Sequence, residues 1–147
     1  MIPVEDTLIA FSFDNLEFEA DEIRSRWDVI LKMTADFSVQ IRGKCYSHWS
    51  YFNVIEFGGQ LCSWLQSGAR KGRPFSYDSI ELEDPGIIGF TFVGTGWRIS
   101  ALEPKYEADL ELSLEEIEAC AESYFANLKR ACLDRFHVDV SGFLGGG

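Results

Sequence analysis

From Val29 to Ile41 the apolar residues fall on every odd position: Val29, Leu31, Met33, Ala35, Phe37, Val39 and Ile41. The even positions carry Ile30, Lys32, Thr34, Asp36, Ser38 and Gln40, polar with one exception. Period-two alternation buries one face of a strand and wets the other, which suits an antiparallel sheet. The pattern predicts one long strand with a bend or bulge near Thr34 to Asp36, because few strands run ~45 Å without one. Upstream, Leu8 to Phe13 reads as a first strand, Asp14-Asn15 as a turn, and Leu16 to Ala20 as a brief continuation.

Past Gly43-Lys44 the segment Cys45 to Trp49 reads as a short return. The period then changes. Val54, Phe57, Leu61, Trp64 and Leu65 recur every three or four residues and predict a helix from about Tyr51 to Gln66, with Ser50 as its cap. Gly58-Gly59 within it costs helix propensity, ~1 kcal/mol each. Close approach of a neighbouring backbone explains such a pair. Phe75 to Glu83, Ile87 to Val93 and Trp97 to Leu102 are divided by Asp84-Pro85-Gly86 and Gly94-Thr95-Gly96, and read as a three-stranded meander. Tyr106 to Leu112 alternates once more. Ser113 and Glu116 match a capping box and open a helix that runs to about Phe136. His137 to Val140 reads as a short edge strand.

These elements define an α+β domain over residues 1–140: a mostly antiparallel sheet of five to seven strands packed with two main helices. Residues 141–147 end in three glycines and read as a disordered Gly-rich tail. The 147 residues are 46% apolar, enough for a core that needs neither metal nor disulfide. No apolar run reaches the ~18 residues of a membrane span. The acidic N-terminus does not read as a signal peptide, so the four cysteines (Cys45, Cys62, Cys120, Cys132) are expected as reduced thiols in a cytoplasmic protein.

Charge narrows the function. The net charge of -11 disfavours nucleic acid and anionic membranes as partners and favours a cationic one. It is uneven: residues 29–76 carry two acids and six bases, whereas residues 77–122 carry twelve acids and two bases. Glu81, Glu83 and Asp84 in the meander, with Glu107, Asp109 and Glu111 in the next segment, are the candidate partner-binding residues. Phe75, Tyr77 and Trp97 are either anchors beside them or core. Ser67 to Pro74 reads as a basic, glycine-bearing loop.

Catalytic sets are lacking. Two histidines, His48 and His137, have no metal-ligand spacing, and no GxSxG, P-loop or HExxH occurs. The carboxylate rows read as solvated strand faces. A non-enzymatic protein without cofactor or metal is therefore expected. The alternative is a small-ligand protein or enzyme with an apolar pocket between sheet and helices.

In pattern the chain resembles the small bacterial immunity proteins of polymorphic toxin and contact-dependent growth inhibition systems. The resemblance rests on the alternating run Val29 to Ile41, the helix end Gln60-Leu-Cys-Ser-Trp-Leu65, and the segments Phe75-Ser-Tyr-Asp-Ser-Ile80, Gly86-Ile-Ile-Gly-Phe90 and Trp97-Arg-Ile-Ser100. It implies a tight complex with a cognate toxin domain, often a basic nuclease, blocked at or beside its active site.

Overall fold

The computed structural model describes residues 8–19, 25–78 and 86–144. Two three-stranded antiparallel sheets flank a helix. Strands β1 (Ile9–Phe18), β2 (Met33–Ile41) and β3 (Lys44–Asn53) form the first sheet, in that order. Strands β4 (Phe75–Tyr77), β5 (Ile88–Phe92) and β6 (Trp97–Ala101) form the second. Helix α1 (Arg26–Lys32) leads into β2, α2 (Val54–Ser67) joins the two sheets, and α3 (Leu114–Phe136) follows the second. The α+β class holds, with three α-helices among the described residues. Among the described residues the strands form two three-stranded sheets and not the single sheet of five to seven, and α2 packs against both through Phe57.

The long alternating run is cut at Met33. Its first four residues belong to α1, where Val29 is buried, and the strand proper keeps strict alternation of burial from Met33 to Ile41. Two sequence signals mark the switch. Ile30 breaks the polar register, and Ser25 with Asp28 forms a capping pair in which the Ser25 N–H donates to Asp28 Oδ2 at 3.3 Å. The irregularity expected at Thr34 to Asp36 exists, but the extra residues lie on the neighbours. Opposite this stretch β1 shifts register between Asp14 and Glu17, and β3 shifts between Phe52 and Trp49. Asp14-Asn15 is therefore a bulge within β1 and not a turn.

Helix α2 begins after Asn53, later than Ser50 suggested, because β3 runs on to Asn53. The Asn53 side-chain N–H donates to Leu31 O at 3.1 Å and ties that junction to α1. The helix buries Val54, Ile55, Phe57, Leu61 and Trp64 together, more than one face, as a helix inside the molecule must. Phe57 is its hub. Its ring lies 5.3 Å from Phe11 and Phe37 of the first sheet, 5.3 Å from Tyr77 of the second and 5.7 Å from Tyr124 of α3. Trp64 anchors the second sheet, stacked on Phe90 at 5.7 Å and edge-on to Trp97 at 5.1 Å. Two polar links cross this core: Tyr77 OH donates to the buried Glu56 carboxylate at 2.8 Å, and Tyr124 OH to Val54 O at 2.7 Å.

The capping box of α3 forms as read, with Glu116 N donating to Ser113 Oγ at 3.1 Å and Ser113 N to Glu116 Oε1 at 3.0 Å. After α3 the chain does not trail away through 144, as a disordered tail would. Residues 141–144 turn back, and Leu144 is buried. This explains the glycine pair of α2: a Cβ on Gly58 would lie 2.5 Å from Leu144 Cδ2, and one on Gly59 would lie 3.4 Å from Phe143 O. Residues 138–140 take no strand pairing, although Val138 and Val140 are buried.

Candidate functional site

The alternation of β2 leaves Thr34, Asp36, Ser38 and Gln40 on the outer face of the first sheet. Register sets their neighbours. Ser12 and His48 flank Ser38, Asp14 faces Asp36, and Glu17 faces Thr34. One end of this face is a hydroxyl and amide patch: Ser12 and Ser38 share a 2.8 Å hydrogen bond, and Gln40 Nε2 donates to Ser38 Oγ at 3.3 Å. The other end is acidic and carries Asp14, Glu17 and Asp36.

The acidic end is shaped by the two bulges, which oppose each other across β2. Each holds a non-glycine residue in the left-handed region, Asn15 at φ 53° and Tyr51 at φ 54°. Asn15 uses that conformation to bind both carboxylates beside it. Its N–H donates to Asp14 Oδ1 at 2.9 Å and its side-chain amide to Asp36 Oδ2 at 2.8 Å. Tyr51 is turned out of the sheet and is 75% exposed. A bulky residue at positive φ is a conformational outlier that surrounding structure must enforce. Here the β3 bulge enforces it and re-aims the side chain. Asn15, Glu17, Thr34, Ala35, Asp36, Ser50 and Tyr51 line a hollow of about 340 Å³. Among the described residues no lysine or arginine forms an ion pair with Asp14, Glu17 or Asp36. The Glu17 and Asp36 carboxylates beside an exposed phenol ring can accept hydrogen bonds from a guanidinium or ammonium group, and the ring can offer it an aromatic face.

The acids singled out in the sequence are placed differently. Glu81, Glu83 and Asp84 lie outside the described residues. Glu107, Asp109 and Glu111 are exposed, and Ala108, Leu110 and Leu112 between them are partly or wholly buried, so the alternation of exposure is real. The segment is nonetheless no strand. It is a strap from one sheet to the other, in which Lys105 N donates to Tyr46 O at 2.7 Å and Leu112 bridges Trp97. Glu111 is tied to the β5–β6 turn, where Thr95 Oγ1 donates to its Oε2 at 2.8 Å. The strap spreads these acids along its length and does not gather them in the hollow. Phe75, Tyr77 and Trp97 are buried, so they are core and not surface anchors.

Other chemistry is limited. All four cysteines are free. Burial pushes the Cys120 and Cys132 thiols up to about 12 and raises that of Cys62, opposed in the last case by Lys129. Protonated, enclosed thiols are poor nucleophiles. Among the described residues no group of three His, Cys, Asp or Glu could hold a metal ion, and no helix is long and apolar enough to cross a membrane. An open groove of about 630 Å³ lies between α2 and α3, with Cys62, Leu65, Phe125 and Leu144 among its lining residues and charged groups from Arg70, Glu118, Glu122 and Lys129.

Sequence reasoning missed the hollow because it placed Tyr51 in a helix and Asn15 in a turn. The available signal was Asp14-Asn15 inside an otherwise continuous alternating stretch, since asparagine tolerates the left-handed region that a bulge requires.

The class defined by this architecture is an α+β domain with two antiparallel sheets and a central helix. Residues 9–133 match the family described as Domain of unknown function (DUF7878), and the chain belongs to that family. No curated protein and no solved structure matches it.

Proposed function

We propose that the protein is a cytoplasmic binding protein of the immunity type. It neutralises a basic toxin domain by direct contact and performs no catalytic step. The observation that carries this reading is the acidic hollow: Glu17 and Asp36 line it with Tyr51, an exposed aromatic held at positive φ, and Asp14 adjoins Asp36 across the strand pair. Aromatics framed by charge are the residues that dominate protein interfaces, and negative fields speed encounter with a cationic partner. Glu81, Glu83, Asp84, Glu107, Asp109 and Glu111 remain candidate contacts of the same partner and add to the attraction it feels. The net charge of -11 supports the same choice of partner.

The test is an affinity capture from the native cells at low and at high salt, with the wild-type chain and the Asp14→Lys/Asp36→Lys variant side by side. The expected result is a stoichiometric basic protein, weakened by salt and lost in the variant. Capture that ignores both salt and the two charge reversals excludes this surface. The groove between α2 and α3 supports a second reading, a small-ligand site, through its mixture of apolar lining and charges of both signs. A small molecule retained in native mass spectrometry and released by Phe125→Asp favours that reading.

A further inference from the structure

The basic loop has no role in the proposal above, yet it is among the more firmly constructed surface features. Its residues form a closed ring. Lys71 N and Arg73 N both donate to Gly68 O at 3.1 Å, and Gly72 N donates to Ala69 O at 3.1 Å. Trp64 Nε1, from the core, donates to Arg73 O at 2.8 Å and locks the ring to α2. Ala69 is buried beneath it, and Gly72 closes the turn at φ 73°. The fixed backbone displays Arg70, Lys71 and Arg73, all exposed and none in an ion pair among the described residues.

An aromatic side chain adjoins the loop at Gly72. A Cβ on Gly72 would lie 3.7 Å from Phe92 Cδ2, so the Phe92 ring sits directly beside the loop. Phe92 is 45% exposed and Val93 is 42% exposed, and the Phe92 ring is held 5.2 Å from that of Trp97. Large apolar side chains left open next to unpaired cations on a preordered backbone are what a docking surface for an anionic, partly apolar segment needs.

The whole-molecule charge decides which anion. A long polyanion such as nucleic acid must bring many phosphates into the field of a chain with net charge -11. A short acidic segment feels mainly the charges within a Debye length, ~8 Å in physiological salt. We propose that the Gly68–Arg73 ring and Phe92 form a docking site for a short acidic segment of a partner protein, with its carboxylates on Lys71 and Arg73 and an apolar side chain on Phe92. Arg70 contributes less, because it shares the α2–α3 groove with Glu118 and Glu122. The site is separate from the acidic hollow and does not depend on the partner being a toxin.

The test titrates the full chain into a fluorescein-labelled peptide alternating aspartate and leucine and follows anisotropy. The same peptide with lysine for aspartate, and a single-stranded oligothymidylate, are run in parallel. Saturable binding of the acidic peptide is expected, weakened about ten-fold by K71E/R73E, in line with two exposed charge contacts reversed. F92A weakens it by a smaller factor. Melting curves of the variants should match the wild type, and K71Q/R73Q provides a milder pair in case charge reversal perturbs folding. Absence of saturable binding overturns the proposal, as does binding indifferent to both double variants. Tighter binding of the oligothymidylate than of the acidic peptide also overturns it and makes the loop a nucleic-acid contact.

Discussion

The acidic hollow and the basic ring solve the same problem in opposite ways. Both display charge on backbone that departs from regular structure. In the hollow the left-handed residues are Asn15 and Tyr51, the side chains that shape the surface. In the ring the left-handed residue is Gly72, which has no side chain, and the displayed Lys71 and Arg73 sit beside it. Strain at the hollow therefore falls on groups with something to do, whereas at the ring it is absorbed by glycine at little steric cost. Arg42, Glu103 and His137 also take positive φ, so what points to function at Tyr51 is the backbone angle together with an exposed ring beside Glu17 and Asp36.

Three substitutions test this contrast, beginning with what the regions share. Phe57 joins the two sheets and α3 through one ring, and Phe57→Ala removes it from a fully buried site. Destabilisation of about 3–5 kcal/mol is expected in chemical denaturation. If the two sheets are one cooperative unit, fluorescence and far-ultraviolet circular dichroism will report the same midpoint. Separate midpoints would show that hollow and ring belong to units that unfold apart. Gly72→Ala comes next. It forces a Cβ into the left-handed region at φ 73° and should cost about 1–2 kcal/mol, with acidic-peptide binding reduced as the ring distorts. An unchanged melting temperature would mean that the ring is not held as described. Tyr51→Gly has the smallest effect on stability and the opposite sign. Relief of strain, offset by the entropy of glycine, should stabilise the fold by up to about 1 kcal/mol while partner binding weakens. If the variant loses stability instead, Tyr51 is structural and the case for the hollow fails.

How far the chain could be read depended on whether the deciding force was local. The α3 capping box was legible because Ser113 and Glu116 satisfy each other within one turn. The meander was legible because glycine and proline punctuate it. The division of Val29 to Ile41 between α1 and β2 was not, since the apolar alternation of the sequence runs on through Val29 and Leu31, while in the fold only Val29 of that stretch is buried, as part of α1. The hollow was hidden for a related reason. A bulge is defined by the count of residues on the opposite strand, and that count exists only after pairing. The acids between 77 and 122 were conspicuous by number, but density along a chain does not place charges in one spot, and the strap spreads Glu107 to Glu111 between two sheets.

The sequence by itself determined the α+β class, the antiparallel pairing of neighbouring strands, the capped last helix and the excess of acid over base. Each follows from side-chain period, turn chemistry or composition within a few residues. Only the tertiary structure decided that the described strands form two sheets and not one, with the Phe57 and Trp64 rings of α2 packed on both. It also decided that the turn at residues 141–144 packs on Gly58, and that Glu17, Asp36 and Tyr51 line one hollow. Those outcomes depend on which buried surfaces fit together at close range, and that fit is a property of residues far apart in the chain.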